Sequence, residues 1–236
     1  MKPIRVASEE EFERLLDHMA SEAHRASDHW HLLKGLEAAR KTYGVEMHQS
    51  VAFWSFTLLA HYDVTLFRLA RLYDQHDCSL SLKRFLLTVK ARVDYFSEKA
   101  RRDKLKHNSF AEGLLSRKLN LPTLRTDIRR VSQDSDPLVN RLVEFRNGSL
   151  SHVEPNPVRL GTVSSLRRLT DREIRTLLNR ARTILNRYSL IYRATMLSTQ
   201  VVGSEDYKHV LDLVRRGRNS MLAEREAERR RFTSSK

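Results

Sequence analysis

Apolar residues that recur at the spacing of an α-helix dominate this sequence, and few residues could interrupt them. The 236 residues include only 7 glycines and 5 prolines, a composition that favours long helices joined by few turns. Ser8 and Glu11 have the spacing of a capping box, which predicts a helix start, and Gly44 is expected to end that helix. The apolar stripe between them consists of Phe12, Leu15, Leu16, Met19, Ala23, Ala26 and Trp30.

A second helix is predicted from about Met47 to Asp74, and its apolar residues point in nearly every direction. A helix that is apolar almost all round is expected to be the central, covered one. Thr170 and Glu173 form another capping box, which opens a later amphipathic helix. No stretch shows the alternating pattern of a strand, so the sequence predicts an all-α bundle of roughly four to five long helices.

The C-terminal residues are rich in arginine and poor in apolar side chains. We therefore expect a helical domain over residues 1–200 and a basic C-terminal helix or tail, frayed or disordered, over residues 201–236.

The net charge and the single cysteine bear on partners and compartment. A formal charge of +14 favours polyanions such as nucleic acid, or an anionic membrane surface. Cys78 is the only cysteine, which fits a reducing cytosol. The N-terminus lacks an apolar leader core, and the longest apolar run is interrupted by His61 and Asp63, too polar to cross a membrane. These features predict a cytoplasmic protein without a membrane partner.

Residues 136–155, "DPLVNRLVEFRNGSLSHVEP", carry the most informative pattern. Val139, Leu142 and Val143 form an apolar helical face, and the next position on that face is Arg146. Arginine is almost never buried without a partner. Arg146 is therefore expected either to pair with an acidic group or to face a cavity or a partner.

A histidine, His152, follows this arginine just beyond a glycine. On an unbroken helix, Arg146 and His152 would point about 240° apart. Asn147 and Gly148 tolerate the left-handed backbone that ends helices, so a break at Gly148 would let the two side chains converge. The alternative is structural: an arginine in a last helical turn that interacts with the helix dipole, followed by a surface histidine.

The run Arg146-Asn147, four residues, His152 is similar to the motif of the HEPN superfamily. The form "FRNGSLSH" resembles the version found in abortive-infection-type, AbiU-like HEPN proteins. Residues 59–74 and 80–86 also resemble the second and third helices of that branch. The resemblance covers about residues 15–195 and combines a short motif with two upstream helices.

The resemblance implies a metal-independent endoribonuclease that needs no cofactor and acts as a homodimer. In that chemistry the 2′-OH of RNA attacks the phosphate and leaves a 2′,3′-cyclic phosphate. His152 would move protons, Arg146 would stabilise charge on the phosphate, and Asn147 would orient one of them. The resemblance also implies a toxin–antitoxin or phage-defence setting, with RNA as substrate and an antitoxin protein as a further partner.

The sequence departs from the family pattern near the histidine. Glu154 stands where some members paired with nucleotidyltransferase antitoxins have a tyrosine, and Leu150-Ser151 replaces the more usual alanine before the histidine. Some HEPN proteins bind ligands or partners without cleaving. A non-catalytic HEPN module that binds RNA or a partner protein is therefore the alternative function.

Asp63, inside the second helix, is a candidate to pair with Arg146 and support it, and the alternative is a pair with Arg68 or Arg71. His24, Asp28 and His31 share one face of the first helix, but no fourth ligand is evident, so no metal site is predicted.

Basic side chains that could follow a phosphate backbone, or could simply be solvated, lie in two stretches. These are Lys83, Arg84, Lys90, Arg92, Arg101, Arg102, Lys104 and Lys106, and then Arg215–Arg231.

Overall fold

A computed structural model describes residues 1–106, 113, 115–151, 168–196, 203 and 205–234. These residues contain eight α-helices and no strand, which confirms the all-α prediction. The helices are α1 (Glu9–His48), α2 (Val51–Leu72), α3 (Leu82–Ala91), α4 (Glu98–Leu105), α5 (Leu121–Arg130), α6 (Pro137–Phe145), α7 (Asp171–Arg193) and α8 (Asp206–Ser234). A 3₁₀ turn, Val93–Phe96, precedes α4, and a π-helical turn, Arg146–Ser151, follows α6.

Side chains cap the starts of α6 and α7. The Thr170 hydroxyl accepts from the backbone N–H of Glu173 at 3.3 Å, and the Glu173 carboxylate accepts from the N–H of Thr170 at 2.8 Å. Asp136 accepts from the N–H groups of Leu138 and Val139, each at 3.0 Å. These bonds satisfy donors that a helix start otherwise leaves unpaired, so α6 and α7 begin at defined residues.

The first helix is interrupted at Tyr43, one residue before the glycine that was expected to end it, and a second helical stretch follows. Tyr43 has a non-helical backbone (φ −120°, ψ 23°), and α1 continues through this kink to His48. Gly44 therefore lies just beyond an interruption inside α1, because the chain resumes the helix after one distorted residue.

The chain forms two compact units, and both α1 and α2 contribute residues to each. The first unit comprises Met1–Ser27 and Val64–Thr199, and the second comprises Asp28–Asp63 and Gln200–Lys236. The C-terminal segment predicted as a basic helix or tail thus groups with residues 28–63, and its residues 206–234 are helical.

An aromatic cluster around Phe12 is at the core of the first unit. Phe12 is fully buried, and its ring stacks on Phe85 of α3 with centroids 5.6 Å apart. Tyr192 of α7 meets it edge-on at 4.9 Å, and Tyr95 and Phe96 of the 3₁₀ turn lie at 5.8 and 5.7 Å. Such pairs add to the free energy gained from burying the rings, so α1, α3, α7 and the 3₁₀ turn are fixed to one another.

In the core of the second unit, one cluster of buried residues is formed by Ala39 and Met47 of α1 with Leu211 of α8. Tyr43, Trp54 and Tyr207 pack against it. Beyond this contact α8 is exposed from Asn219 to Thr233.

The second helix is not covered on all sides, which corrects the sequence prediction. Phe53, Phe56 and Leu59 are 61%, 70% and 52% exposed. Periodicity showed that α2 is apolar almost all round, but it could not show how many neighbours would cover it. Within the described residues, no helix combines the length and the hydropathy that a membrane crossing needs.

Candidate functional site

Arg146 is the first residue after α6, where the backbone changes from an α-helical turn to a wider, π-helical turn. The last α-helical residue is Phe145, and residues Arg146–Ser151 form the π-helical turn. The predicted break at Gly148 is therefore wrong: the described chain continues coiling through that glycine. A π turn has hydrogen bonds five residues apart rather than four, and such turns occur often at functional sites.

The Arg146 guanidinium has two partners among the described residues. Its Nη1 donates to Asp74 Oδ1 at 2.6 Å, and its Nε donates to Asn147 Oδ1 at 3.0 Å. The side chain remains 24% exposed. Arg146 thus pairs with an acidic group, one of the two outcomes expected from its place on the apolar face, and it also reaches solvent.

Asp74 is held from several directions at the end of α2. Its Oδ2 accepts from the Ser79 hydroxyl at 2.6 Å, and its Oδ1 accepts from the His76 backbone N–H at 3.1 Å. Burial alone would raise the pKa of Asp74, but the bonds from Ser79, Arg146 and the His76 N–H outweigh it and lower that pKa. Asp74 is therefore a carboxylate at neutral pH, and its position is fixed before any ligand arrives.

The residues around Asp74 are anchored to the rest of the first unit. Tyr73 is fully buried, and its hydroxyl donates to the Leu177 carbonyl of α7 at 2.8 Å. The Gln75 side chain donates to the Val131 carbonyl at 3.1 Å and accepts from Lys83 Nζ at 3.2 Å. The turn that carries Asp74 is thus bonded to α3, to α7 and to the end of α5.

Asp63 does not have the supporting role that the sequence suggested. Its side chain is exposed, and the carboxylate that pairs with Arg146 is Asp74. Arg68 and Arg71, the alternative partners of Asp63, both face Glu22, at 2.9 and 3.6 Å. An exposed carboxylate on α2 is solvated by water and needs no cation, which removes the reason for the predicted pair.

His152 lies outside the described residues, and so do Glu154 and the side chains of Leu150 and Ser151. The predicted convergence of His152 with Arg146 therefore stays a prediction. Asn147 is described: it is exposed, and its side-chain oxygen accepts from Arg146 Nε, while its orienting role stays a prediction.

Sequence reasoning missed Asp74 and Ser79. In the sequence Asp74 marks only the predicted end of the second helix, and nothing local indicates its partner, which lies 72 positions later in the chain. A weak signal was present: an aspartate in a turn often accepts from the backbone N–H two residues later, as Asp74 does from His76.

No group of three or more His, Cys, Asp or Glu side chains that could hold a metal occurs among the described residues, which include His24, Asp28 and His31. A different histidine contact occurs instead. The Nδ1 atoms of His29 and His61 lie 2.8 Å apart, and burial lowers the pKa of His61.

Many of the predicted basic side chains are bound within the protein. Lys104 pairs with Glu9 and Glu13 at 2.6 and 2.9 Å, and Arg101 is 1% exposed. In the C-terminal stretch, Arg215 pairs with Glu46 at 3.1 Å. Neither stretch is therefore a continuous open row of cations.

Comparison with known proteins gives one match to a family model. The model of a HEPN family described as AbiU2 matches residues 9–213, well over half of the chain. The matched range includes Asp74, Arg146, Asn147 and His152. No curated protein and no solved structure matches the chain significantly.

Proposed function

Because this chain belongs to the AbiU2 family of HEPN proteins, of the abortive-infection type, we propose that it is a metal-independent endoribonuclease with Arg146 and His152 at its centre. The proposal rests on the contacts and the exposure of Arg146. It occupies the first position of the family motif, it is oriented by a fixed carboxylate, and it remains partly exposed.

The chemistry uses the nucleophile that RNA already carries. The 2′-oxygen attacks the adjacent phosphorus, the bond from phosphorus to the 5′-oxygen breaks, and a 2′,3′-cyclic phosphate remains. His152 accepts the proton of the 2′-OH, and the leaving 5′-oxygen acquires a proton from an imidazolium. The products are a cyclic phosphate end and a 5′-OH end.

Arg146 stabilises the charge that builds up on the phosphate oxygens. Asp74 engages Nη1 and Asn147 engages Nε, while Nη2 has no hydrogen-bond partner among the described residues. An arginine fixed at two nitrogens keeps the third in a constant direction, so little ordering is needed when a phosphate binds.

The active unit is a homodimer in this proposal, and RNA is its substrate. Arg146 and His152 of two protomers meet in a shared cleft, and a two-fold axis supplies each group twice. The overall charge of +14 increases the rate at which a polyanion arrives.

The test is cleavage of total RNA in EDTA by the purified wild type, Arg146→Ala, His152→Ala and the control Arg172→Ala, which changes an exposed arginine of α7. We expect 2′,3′-cyclic phosphate ends from the wild type and the control. Either motif variant should lose activity about 100-fold or more. If all four proteins bind RNA equally and none cleaves it, the protein is instead a non-catalytic HEPN module.

A further inference from the structure

A pocket of about 380 Å³ opens in the second unit, where the end of α1 meets the start of α2. This volume lies within the range of small-molecule sites in proteins. Its lining combines apolar, aromatic and basic side chains: Arg40, Gly44, Met47, His48, Val51, Trp54 and Ser55.

The pocket exists because α1 is interrupted beside a residue without a side chain. Tyr43 is the distorted residue of α1, and Gly44 follows it. A Cβ atom added at Gly44 would meet nothing within 4 Å, so the space in front of this glycine is open. Met47, which lines the pocket, is 5% exposed and belongs to the core of the second unit, so packing fixes this side of the pocket.

One side of the pocket is lined by the aromatic side chain of Trp54. Trp54 packs against the core of the second unit, and its ring meets Phe53 edge-on with centroids 5.0 Å apart. An indole held in this way, half buried, offers a flat surface on which another ring can stack.

The ionisable groups of the lining are all basic. They are Arg40 and His48, and neither forms an ion pair with a described residue. The nearby Glu46 is 3% exposed and is paired with Arg215 at 3.1 Å and Arg218 at 3.7 Å. The first turn of α2 contains no acidic residue. The field inside the pocket therefore favours an anion.

We propose that this pocket binds a nucleobase joined to a phosphate. The base stacks on Trp54 above Met47, and the phosphate interacts with Arg40 and His48. The ligand is either a free nucleotide or the terminal nucleotide of an RNA strand, because both present the same chemistry. The proposal goes beyond the ribonuclease and does not depend on it.

The binding test uses Trp54 itself as the reporter. The chain has two tryptophans, so Trp30→Phe leaves Trp54 as the only indole. Titration of this protein with adenosine 5′-monophosphate should quench the fluorescence and reach saturation. Adenosine alone and inorganic phosphate alone should each bind at least about tenfold more weakly, because each lacks one of the two contacts.

The matched variants at one position are Gly44→Leu and Gly44→Ala in the Trp30→Phe protein. Leucine fills the open space and should weaken nucleotide binding at least about tenfold, whereas alanine should leave it nearly unchanged. Arg40→Gln, an exposed change that should not disturb folding, should also weaken binding of the nucleotide but not of adenosine. Circular dichroism establishes that each variant is folded.

Two results would overturn the proposal: no saturable quenching by the nucleotide, or quenching of the same affinity in Gly44→Leu and Gly44→Ala. A final arm compares the mononucleotide with a short 5′-phosphorylated oligoadenylate. Equal affinity assigns the pocket to free nucleotides, and affinity at least about tenfold higher for the oligomer assigns it to RNA ends.

Discussion

Arg146 is oriented by a carboxylate that lies 72 positions earlier in the chain. Half-buried charges that bond to each other and to backbone groups are held in one geometry, unlike solvated surface pairs. The side chains of Asp74 and Arg146 are 17% and 24% exposed, so this pair should be held in one geometry. The position of the arginine therefore depends on Asp74 as much as on α6.

Asp74→Asn should reduce RNA cleavage more than it reduces RNA binding. The amide can still accept one bond, but it lacks the charge that fixes the guanidinium, so the phosphate is stabilised less well. We expect kcat to fall at least about tenfold with a smaller change in KM. Asp103→Asn, an exposed change on α4, is the control. Equal kinetics for Asp74→Asn and the wild type would refute a positioning role.

The lowered pKa of Asp74 makes its contribution to stability dependent on pH. Its folded pKa lies below the unfolded value, so the contribution is complete above the unfolded value of about 3.9. It is lost as the pH falls through the folded pKa. Urea unfolding should give a constant difference between the wild type and Asp74→Asn from pH 5 to 8 (roughly) that disappears in stronger acid. A difference that persists at low pH would contradict this assignment.

His61 should make the second unit less stable in mild acid. Burial lowers its pKa, so between the folded and unfolded values the unfolded chain binds more protons and stability rises with pH. Two Nδ1 atoms 2.8 Å apart also require one of them to be without a proton. The melting temperature should increase as the pH rises toward about 6.5, and His61→Gln should flatten that increase in thermal melts.

At the scale of elements, the cap of α6 decides where the helix that carries Arg146 begins. Asp136 accepts from two backbone N–H groups and pairs with Arg180 at 2.9 Å. Asp136→Ala should lower the free energy of unfolding by about 2 kcal/mol. Asp136→Asn keeps the capping oxygen and should cost less. Urea denaturation measures both changes, and equal losses would show that the charge, rather than the cap, matters.

Much of the element structure follows from local patterns. The capping boxes at Ser8 and Thr170 and the apolar stripes predicted helices that the structure contains, because these signals act within a few residues. Gly44 and Gly148 indicated interruptions close to Tyr43 and Arg146, but not their form, which is a kink within α1 and a π-helical turn after α6. A glycine permits several backbone conformations, so its presence does not determine which one the chain adopts.

The candidate site was predictable only where its residues are close in sequence. Arg146 and Asn147 stand out as adjacent polar residues on an apolar helix. The bond from Ser79 to Asp74 is local, but the pairing of Asp74 with Arg146 joins residues 72 positions apart and is a tertiary contact. The exposure of Phe56 on α2 was missed for the same reason, since periodicity counts apolar positions but not the helices that cover them.

At the scale of the whole molecule, the proposed homodimer predicts complementation between two inactive variants. Arg146→Ala and His152→Ala are each expected to be inactive. If each site takes its arginine from one protomer and its histidine from the other, a mixed dimer contains one intact site. Mixing the two proteins should therefore restore part of the cleavage rate, and light scattering should give the mass of a dimer. A dimer without restored activity would place both groups of each site in one protomer.

The ion pair between Arg146 and Asp74 has a consequence for which anions the proposed site would select. A small phosphate ion that approaches this guanidinium finds Nη1 and Nε already engaged, so it meets a partly neutralised cation and gains little from that one contact. A strand with many linked phosphates gains additional contacts elsewhere, so it can accept a weak interaction at this one point. In the proposed ribonuclease, Asp74 would therefore make the arginine selective for a polymeric anion over small ones.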